Sequence, residues 1–340
     1  MVLIFMIIME KACMNFSRSQ LMVVAMAILS SLGILSSSVQ AQTYPNKPIH
    51  IIVPYAAGGV ADNSSRLFAK ALEQELKQSI VIDNRSGGGG RIGAEAVLHM
   101  PADGYNLLLT TNGTQTYMPV MEDSLSYNPI KDFTPLSLIT SYGFLMVVNP
   151  SLPVKSVTEF IGYAKKNPGK LNYASSGPGS GPHFAGEVFK SIAGIDMTHV
   201  AYKGTGPGLI AVAAGEVDLI FAADANALID SGMVRLLGTT SGTRDPRYPN
   251  SPTIAEAGLK GYDLISWIGF YGPRGLPEDV QRTLNAAVQR AMQNPELRKS
   301  LSQMGLVPVG STPQELVSMM QTETDKLRAI AASIPGGIKK

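Results

Sequence analysis

Short apolar runs alternate with segments of helical period from residue 47 onward, and that alternation restricts the chain to an α/β fold. The run "KPIHIIV" (47–53) reads as a buried strand. Residues 64–77 then place Leu67, Phe68, Ala71, Leu72 and Leu76 on one helical face. A short strand at 80–83, a helix at 91–99 and the strand "YNLLLT" at 105–110 complete a βαβαβ order. Such an order implies a parallel sheet with helices on its faces.

The same grammar continues past residue 150. Ser156-Val157-Thr158-Glu159 is a capping box that opens a helix. "LNYAS", "MTHVAY" and "VDLIFA" read as strands separated by helices at 183–193 and 208–214. The last part is helical, at 277–292, at 295–304 and from Pro313, where Thr312-Pro313-Gln314-Glu315 sets an N-cap Thr, an N1 Pro and an N3 Glu. The chain is long enough for two lobes rather than one core. We place one lobe at 43–141 and a second at 142–266. The segment 267–340 returns to cover the first, with "ISWIGFYGP" (265–273) as the returning connection.

The first forty residues carry a different signal. Arg18, an apolar core at 21–35 and Val39-Gln40-Ala41 match the charged region, apolar region and small-residue cleavage site of a secretory signal peptide, residues 1–41. Residues 1–13 fit that pattern poorly, which makes Met14 a candidate start. The rival reading is an uncleaved anchor, but the apolar core falls short of the roughly 20 residues a span needs. Cys13 is the only cysteine, so the predicted mature chain has neither disulfides nor thiol chemistry. Removing Lys11, Arg18 and Glu10 from 28 basic and 26 acidic residues leaves 26 and 25. A balance so near neutral, without a basic block, argues against nucleic acid as a partner. The expectation is a soluble, exported globular protein.

In open α/β sheets ligands bind beyond the carboxyl ends of strands, where loops enter helix N-termini. Four loops occupy such places: "PYAAGGVADNS" (54–64), "TNGTQT" (111–116), "SSGPGSGPH" (175–183) and "YKGTGPG" (202–208). Glycine lets backbone N–H groups approach a ligand, and helix N-termini favour anions. Lys203 is the single Lys or Arg in these loops, so an anion there is expected to be held by backbone amides, hydroxyls and helix ends.

Several sharper motifs have plainer readings beside them. Gly88, Gly90 and Gly93 fit G-x-G-x-x-G, but the run follows the second strand, whereas a dinucleotide fingerprint sits in the first βα turn. A structural turn beside a cleft is the better reading, and no cofactor is expected. His183 and Glu187 have metal-ligand spacing, yet His50, His99 and His199 add no H-x-x-x-H pattern, so no metal is expected. Ser180 in "PGSGP" is out of register for a nucleophile elbow. Its expected role is a hydroxyl that bonds a carboxylate, and no catalytic residue is assigned. Asp62 reads equally as an N-cap or a ligand contact, and Asp224 as a loop residue that could meet a ligand amine or hydroxyl. Trp267 reads as core or hinge packing, and Arg66 as a surface residue.

Taken in order, the segments "YPNKPIHIIVPYAAGGVADNSSRLFAKALEQELKQSIVIDNRSGGGGRIGAEAV", "DGYNLLLTTNGT", "NPIKDFTPLSLI", "NPGKLNYASSGPGSGPHFAGEVFK", "HVAYKGTGPGL", "GEVDLIFA" and "PTIAEAGLKGYDLISWIGFYGPRGLP" span the predicted mature chain. They resemble the Bug-type receptors, the periplasmic substrate-binding proteins of tripartite tricarboxylate transporters. The glycine run resembles that family's Asn-Arg-Pro-Gly-Ala-Gly-Gly signature, with Ser86 and Gly88 substituted. The resemblance implies an α/β, two-lobed periplasmic-binding-protein fold (Venus flytrap, type II-like), each lobe a mainly parallel sheet flanked by helices.

It also implies a monomeric receptor that closes on a small organic acid, aliphatic or aromatic, and hands it to membrane transporter subunits. Carried over position by position, Tyr55, Ala57, Gly58, Gly59 and Asp62 match the first-strand loop, and Thr114 falls in the loop after the third strand. Ser176, Ser180 and His183 match the serine-glycine loop, and Tyr202 and Gly204 the Tyr-Lys-Gly turn. Two departures bear on the ligand. The first loop reads Gly-Gly-Val-Ala-Asp, and Ala222-Ala223 stand where Asp-Asn is common, with Asp224 next. A carboxylate-sensing partner of a signalling receptor would use the same fold. An exported hydrolase would instead need Ser180 as a nucleophile.

Overall fold

The computed structural model describes residues 44–122 and 124–333, so the expected signal peptide lies outside the described residues. From Ile49–Val53 (β1) the chain passes through Val60–Leu76 (α1), Ile80–Asn84 (β2), a tight turn at Gly88–Gly90, Arg91–Leu98 (α2) and Asn106–Thr111 (β3). A wide turn at Gly113–Tyr117 runs into Met118–Met121 (α3), followed by Phe133–Gly143 (β4) and Leu145–Val148 (β5). Next come Val157–Lys166 (α4), Leu171–Ser175 (β6), Gly181–Ala193 (α5), Met197–Ala201 (β7), Thr205–Ala214 (α6), Leu219–Ala222 (β8), Asn226–Asp230 (α7) and Arg235–Thr239 (β9). The last elements are Ile265–Pro273 (β10), Glu278–Ala291 (α8), Pro295–Gln303 (α9), Val307–Pro308 (β11) and Pro313–Ser333 (α10).

Local chemistry explains where the helices begin and end. The Ser156 side chain accepts the Glu159 N–H and caps α4. Thr312 and Glu315 form a reciprocal box at the start of α10: the Thr312 hydroxyl accepts the Glu315 N–H, and the Glu315 carboxylate accepts the Thr312 N–H. At α5 the left-handed Gly194 ends the helix, its N–H returning to the last turn. No helix among the described residues is long and apolar enough to cross a membrane.

The strands form two sheets, in the orders β11-β4-β10-β3-β1-β2 and β7-β6-β8-β5-β9. Both are mixed, where mainly parallel sheets were expected. In the first, β1 is parallel to β2 and β3, but β10 runs antiparallel to β3 and β4. In the second, β6 is parallel to β7 and β8, while β5 is antiparallel to β8 and β9. The cause is the route of the chain. It leaves the first sheet along β4 and re-enters along β10, which inserts between β3 and β4 in the opposite sense. The segment "ISWIGFYGP" is thus an interior strand as well as a connection.

Period-2 alternation sorts the first core. Ile49, Ile51 and Val53 join Phe68 and Leu72 of α1 and Leu284 and Val288 of α8, whereas Ile52 joins Trp267, Leu316 and Met320. Helices therefore cover both faces of the sheet. The chain crosses between sheets twice, and the crossings are tied together. Phe144 and Thr240 exchange bonds, the Phe144 N–H going to the Thr240 hydroxyl (2.8 Å) and the Thr240 N–H to the Phe144 carbonyl (2.9 Å). The Thr240 hydroxyl in turn donates to the Leu264 carbonyl at 2.7 Å.

Candidate ligand-binding cleft

A cavity of about 560 Å³ opens where the loops after β1, β6, β7 and β8 face the glycine run after β2. Three helices point their N-termini at it: Gly59 to Ala61 of α1, Ser180 to Pro182 of α5 and Gly204 to Gly206 of α6 all line the wall. None of the three N-cap residues, Gly59, Ser180 and Gly204, makes a side-chain cap bond. The first-turn N–H groups, which have no partner within a helix, are left toward the cavity with the positive ends of three macrodipoles. Among the described residues the lining carries one cation, Lys203, and one carboxylate, Asp224, which accepts the Asn226 N–H at 3.2 Å.

Of the residues singled out from sequence, Tyr55, Gly58, Gly59, Ser176, Ser180, Tyr202, Gly204 and Asp224 line the cavity. Ala57, Asp62, Thr114 and His183 do not, and three of these stand behind the loops as braces. Asp62 is buried inside the first turn of α1 and accepts from the Gly58 N–H (2.9 Å), Arg66 and Asn84. Burial works to raise its pKa, but the bonds from Arg66, Gly58 and Asn84 and the Arg66 charge outweigh it and hold the carboxyl below its ordinary value. Asn84 also donates to the Tyr55 carbonyl, so strand β2 fixes the loop after β1. Arg66, expected at the surface, is half exposed and serves the same brace. Thr114 is buried with its hydroxyl on Thr110 (2.8 Å), while Thr111, in the same loop, lines the cavity and holds the Tyr55 hydroxyl at 2.6 Å. Burial raises the Tyr55 pKa despite bonds from Thr110 and Thr111, so the phenol stays a neutral donor or acceptor.

His183 is the brace of the second loop. It is buried, its Nδ1 accepts the Gly179 N–H, and its ring stacks on His199 with centroids 4.1 Å apart. His199 bonds the Ser175 hydroxyl at 2.6 Å. Burial, then the neighbouring His199 and Lys190, lower the His183 pKa to about 3, so the ring is neutral at pH 7. Glu187, four residues on, accepts from Tyr173 (2.6 Å) and Lys190 (3.0 Å). No group of three or more His, Cys, Asp or Glu among the described residues is placed to hold a metal ion. The Ser180 hydroxyl donates to the Gly177 carbonyl at 2.6 Å, while His183, three residues on, uses its Nδ1 on the Gly179 N–H.

The glycine run has a steric purpose. Gly87 to Gly90 all have positive φ, and a Cβ on Gly89 would sit 2.1 Å from the Pro178 carbonyl oxygen of the opposite loop. The run is the first sheet's side of a close approach to the loop after β6 of the second sheet. The run, read from sequence as a turn beside a cleft, lines the cavity, as do Tyr142, Phe144 and Ser266 near the crossings, which nothing in the sequence singled out. Those three belong to no strand-to-helix loop, and only the route of the chain between sheets brings them to the cavity.

Two mixed α/β sheets joined by paired crossings, with helix N-termini converging on the cleft between them, define a solute-binding protein of the periplasmic type. The chain belongs to the Bug-type family: the model described as "Tripartite tricarboxylate transporter family receptor" matches residues 65–335. BugT of Bordetella pertussis is 30% identical over 96% of this chain and 100% of its own length. Among solved structures, Rpa4515 of R. palustris with adipate has a TM-score of 0.82 at 35% identity, covering 85% of this chain and 98% of that one. MatC (Rpa3494) from Rhodopseudomonas palustris with bound malate has a TM-score of 0.81 at 32% identity, covering 84% and 99%.

Proposed function

We propose that this protein is a periplasmic receptor that captures a small organic carboxylate by closure of two lobes and delivers it to the membrane subunits of a tripartite tricarboxylate-type transporter. The lobes we propose are 43–141 with 267–340, and 142–266, the mature chain beginning after a cleaved signal peptide at residue 41. The convergence of three uncapped helix N-termini on one cavity carries this reading. Backbone N–H groups and dipole ends are suited to an anion, and the one lining lysine leaves most of that work to them. A cavity of this size suits a small ligand rather than a polymer. The adipate and malate held by two relatives support the same chemical class. Binding to both lobes would favour the closed form over the open one. No turnover is expected, because the Ser180 hydroxyl donates to Gly177 and the His183 Nδ1 is taken by the Gly179 N–H.

A thermal-shift screen of the mature chain, unfolded and refolded to strip any retained ligand, tests the proposal. The panel holds aliphatic di- and tricarboxylates, aromatic acids, nicotinate and amino acids. A ligand at about 100 times its Kd adds about 2.7 kcal/mol of stability. A shift with one class names the substrate, and no shift across the panel removes the carboxylate reading.

A further inference from the structure

One buried arginine outside the cleft joins the two lobes. Arg247 lies on the segment between β9 and β10, which stays with the five-stranded sheet through the Thr239–Thr253 bridge. Its guanidinium is largely buried and forks onto Asp245, with Nε at 3.0 Å and Nη2 at 2.7 Å. The remaining N–H groups go in two directions. Nη1 donates to the Met304 carbonyl at 2.9 Å, on the backbone just before β11 of the six-stranded sheet. Nη1 and Nη2 also reach the Asn226 side chain (3.2 Å) and the Ala223 carbonyl (3.2 Å), which flank Asp224 in the cleft wall. The Tyr248 hydroxyl adds a second bond to Asn226 at 2.8 Å. Gly305 leaves the space this requires. It has φ +76°, and a Cβ there would lie 2.0 Å from Arg247 Cζ.

We propose that Arg247 is an interlobe latch and a positioning residue for ligand binding. As the lobes close, its guanidinium enters the notch at Met304 and Gly305. While docked, it holds the Ala223–Asp224 turn against the cleft. Affinity then depends on a side chain that does not line the cavity. The planar fork matters, because one ammonium cannot serve a carboxylate and carbonyls on both sides at once. The inference rests on the proposed closure but not on which ligand is bound.

Thiol trapping reads closure without a ligand. The chain after residue 13 has no cysteine, and a Cβ on Gly204 would lie 3.7 Å from that of Ala56 on the opposite loop, within disulfide range. In an Ala56→Cys/Gly204→Cys background, the rate of disulfide formation in a fixed redox buffer reports how often the closed geometry is reached. Arg247→Ala and Gly305→Ala are each expected to slow trapping about fivefold or more, with the double variant no slower than Arg247→Ala alone. Gly305→Ala leaves the Asp245–Arg247 pair intact, which covers the case where Arg247→Ala fails to fold. Unchanged trapping in folded Gly305→Ala, or no cross-link in the parent pair, overturns the latch. A flat ligand screen with slowed trapping would remove the carboxylate reading and leave the latch standing.

Discussion

The imidazole Nδ1 of His183 accepts the backbone N–H of Gly179 at 3.2 Å, and that bond exists only while the ring is neutral. Protonation would set a donor against a donor beneath the serine-glycine loop. The folded pKa, about 3, lies below the ordinary 6.5, with burial as the main cause. His199 is lowered too, by burial first, with the Glu187 charge opposing. An unfolded chain therefore takes up protons that the folded one refuses, and stability falls as pH drops from 6.5 toward 3. His183→Asn removes one such site. The gap in unfolding free energy between wild type and this variant should narrow from about pH 7.5 to about pH 4.5 in urea titrations. A constant gap would show that His183 titrates as a free imidazole.

Gly89 is expected to be required for closure. Alanine there combines a positive φ of 66° with a Cβ 2.1 Å from the Pro178 oxygen. Gly89→Ala should cost only about 1 kcal/mol in thermal stability while weakening ligand binding tenfold or more in calorimetry. Binding at wild-type strength would mean that the two loops do not meet in the bound form.

Ser180 lines the cavity and ties its own loop through Gly177. Ser180→Ala should lose about 1 kcal/mol of binding, and neither form should hydrolyse an ester substrate. Ester turnover by wild type that vanishes in the variant would make the protein an enzyme instead.

Glu323 of α10 is partly buried and accepts from Trp267 Nε1 (2.7 Å), Asn112 (3.0 Å) and Thr116 (2.6 Å). Burial raises its pKa, and these three bonds work against that rise. Glu323→Ala strands the Trp267 Nε1–H and one Asn112 N–H, while Thr116 keeps the Asn112 carbonyl, for an expected loss of about 2 kcal/mol. Trp267 is the only tryptophan, so its fluorescence follows the transition directly. A loss under about 0.5 kcal/mol would show the network to be dispensable.

What could be read from the chain divides along a physical line. Strands β1, β6 and β8 and the caps at Ser156 and Thr312 depend on neighbours within a few residues, so local pattern reveals them. Strand β4, with Pro135 and several hydroxyl residues over its eleven positions, owes its place to β10, which is more than a hundred residues away. The loops that line the cavity were visible, but the direction of their polar side chains was not. Asp62 and Thr114 satisfy their own backbone or neighbouring side chains, and a sequence does not distinguish a residue that completes a loop from one that completes a ligand. Arg247 had no signal, since its partners Ala223, Met304 and Gly305 come from separate elements.

A single residue, Phe144, separates β4 of one sheet from β5 of the other. Its backbone is paired on both sides with Thr240, and its ring stands where a Cβ on Gly181 would fall, at 2.7 Å. That tether has no slack. The other crossing, from Thr240 to Leu264, carries a long looped excursion. Chain length is therefore frozen in one crossing and has exposed turns to vary in the other. The exposed turn at 242–244 can absorb an added residue, whereas an insertion beside Phe144 would rotate one half of the molecule out of register with the other.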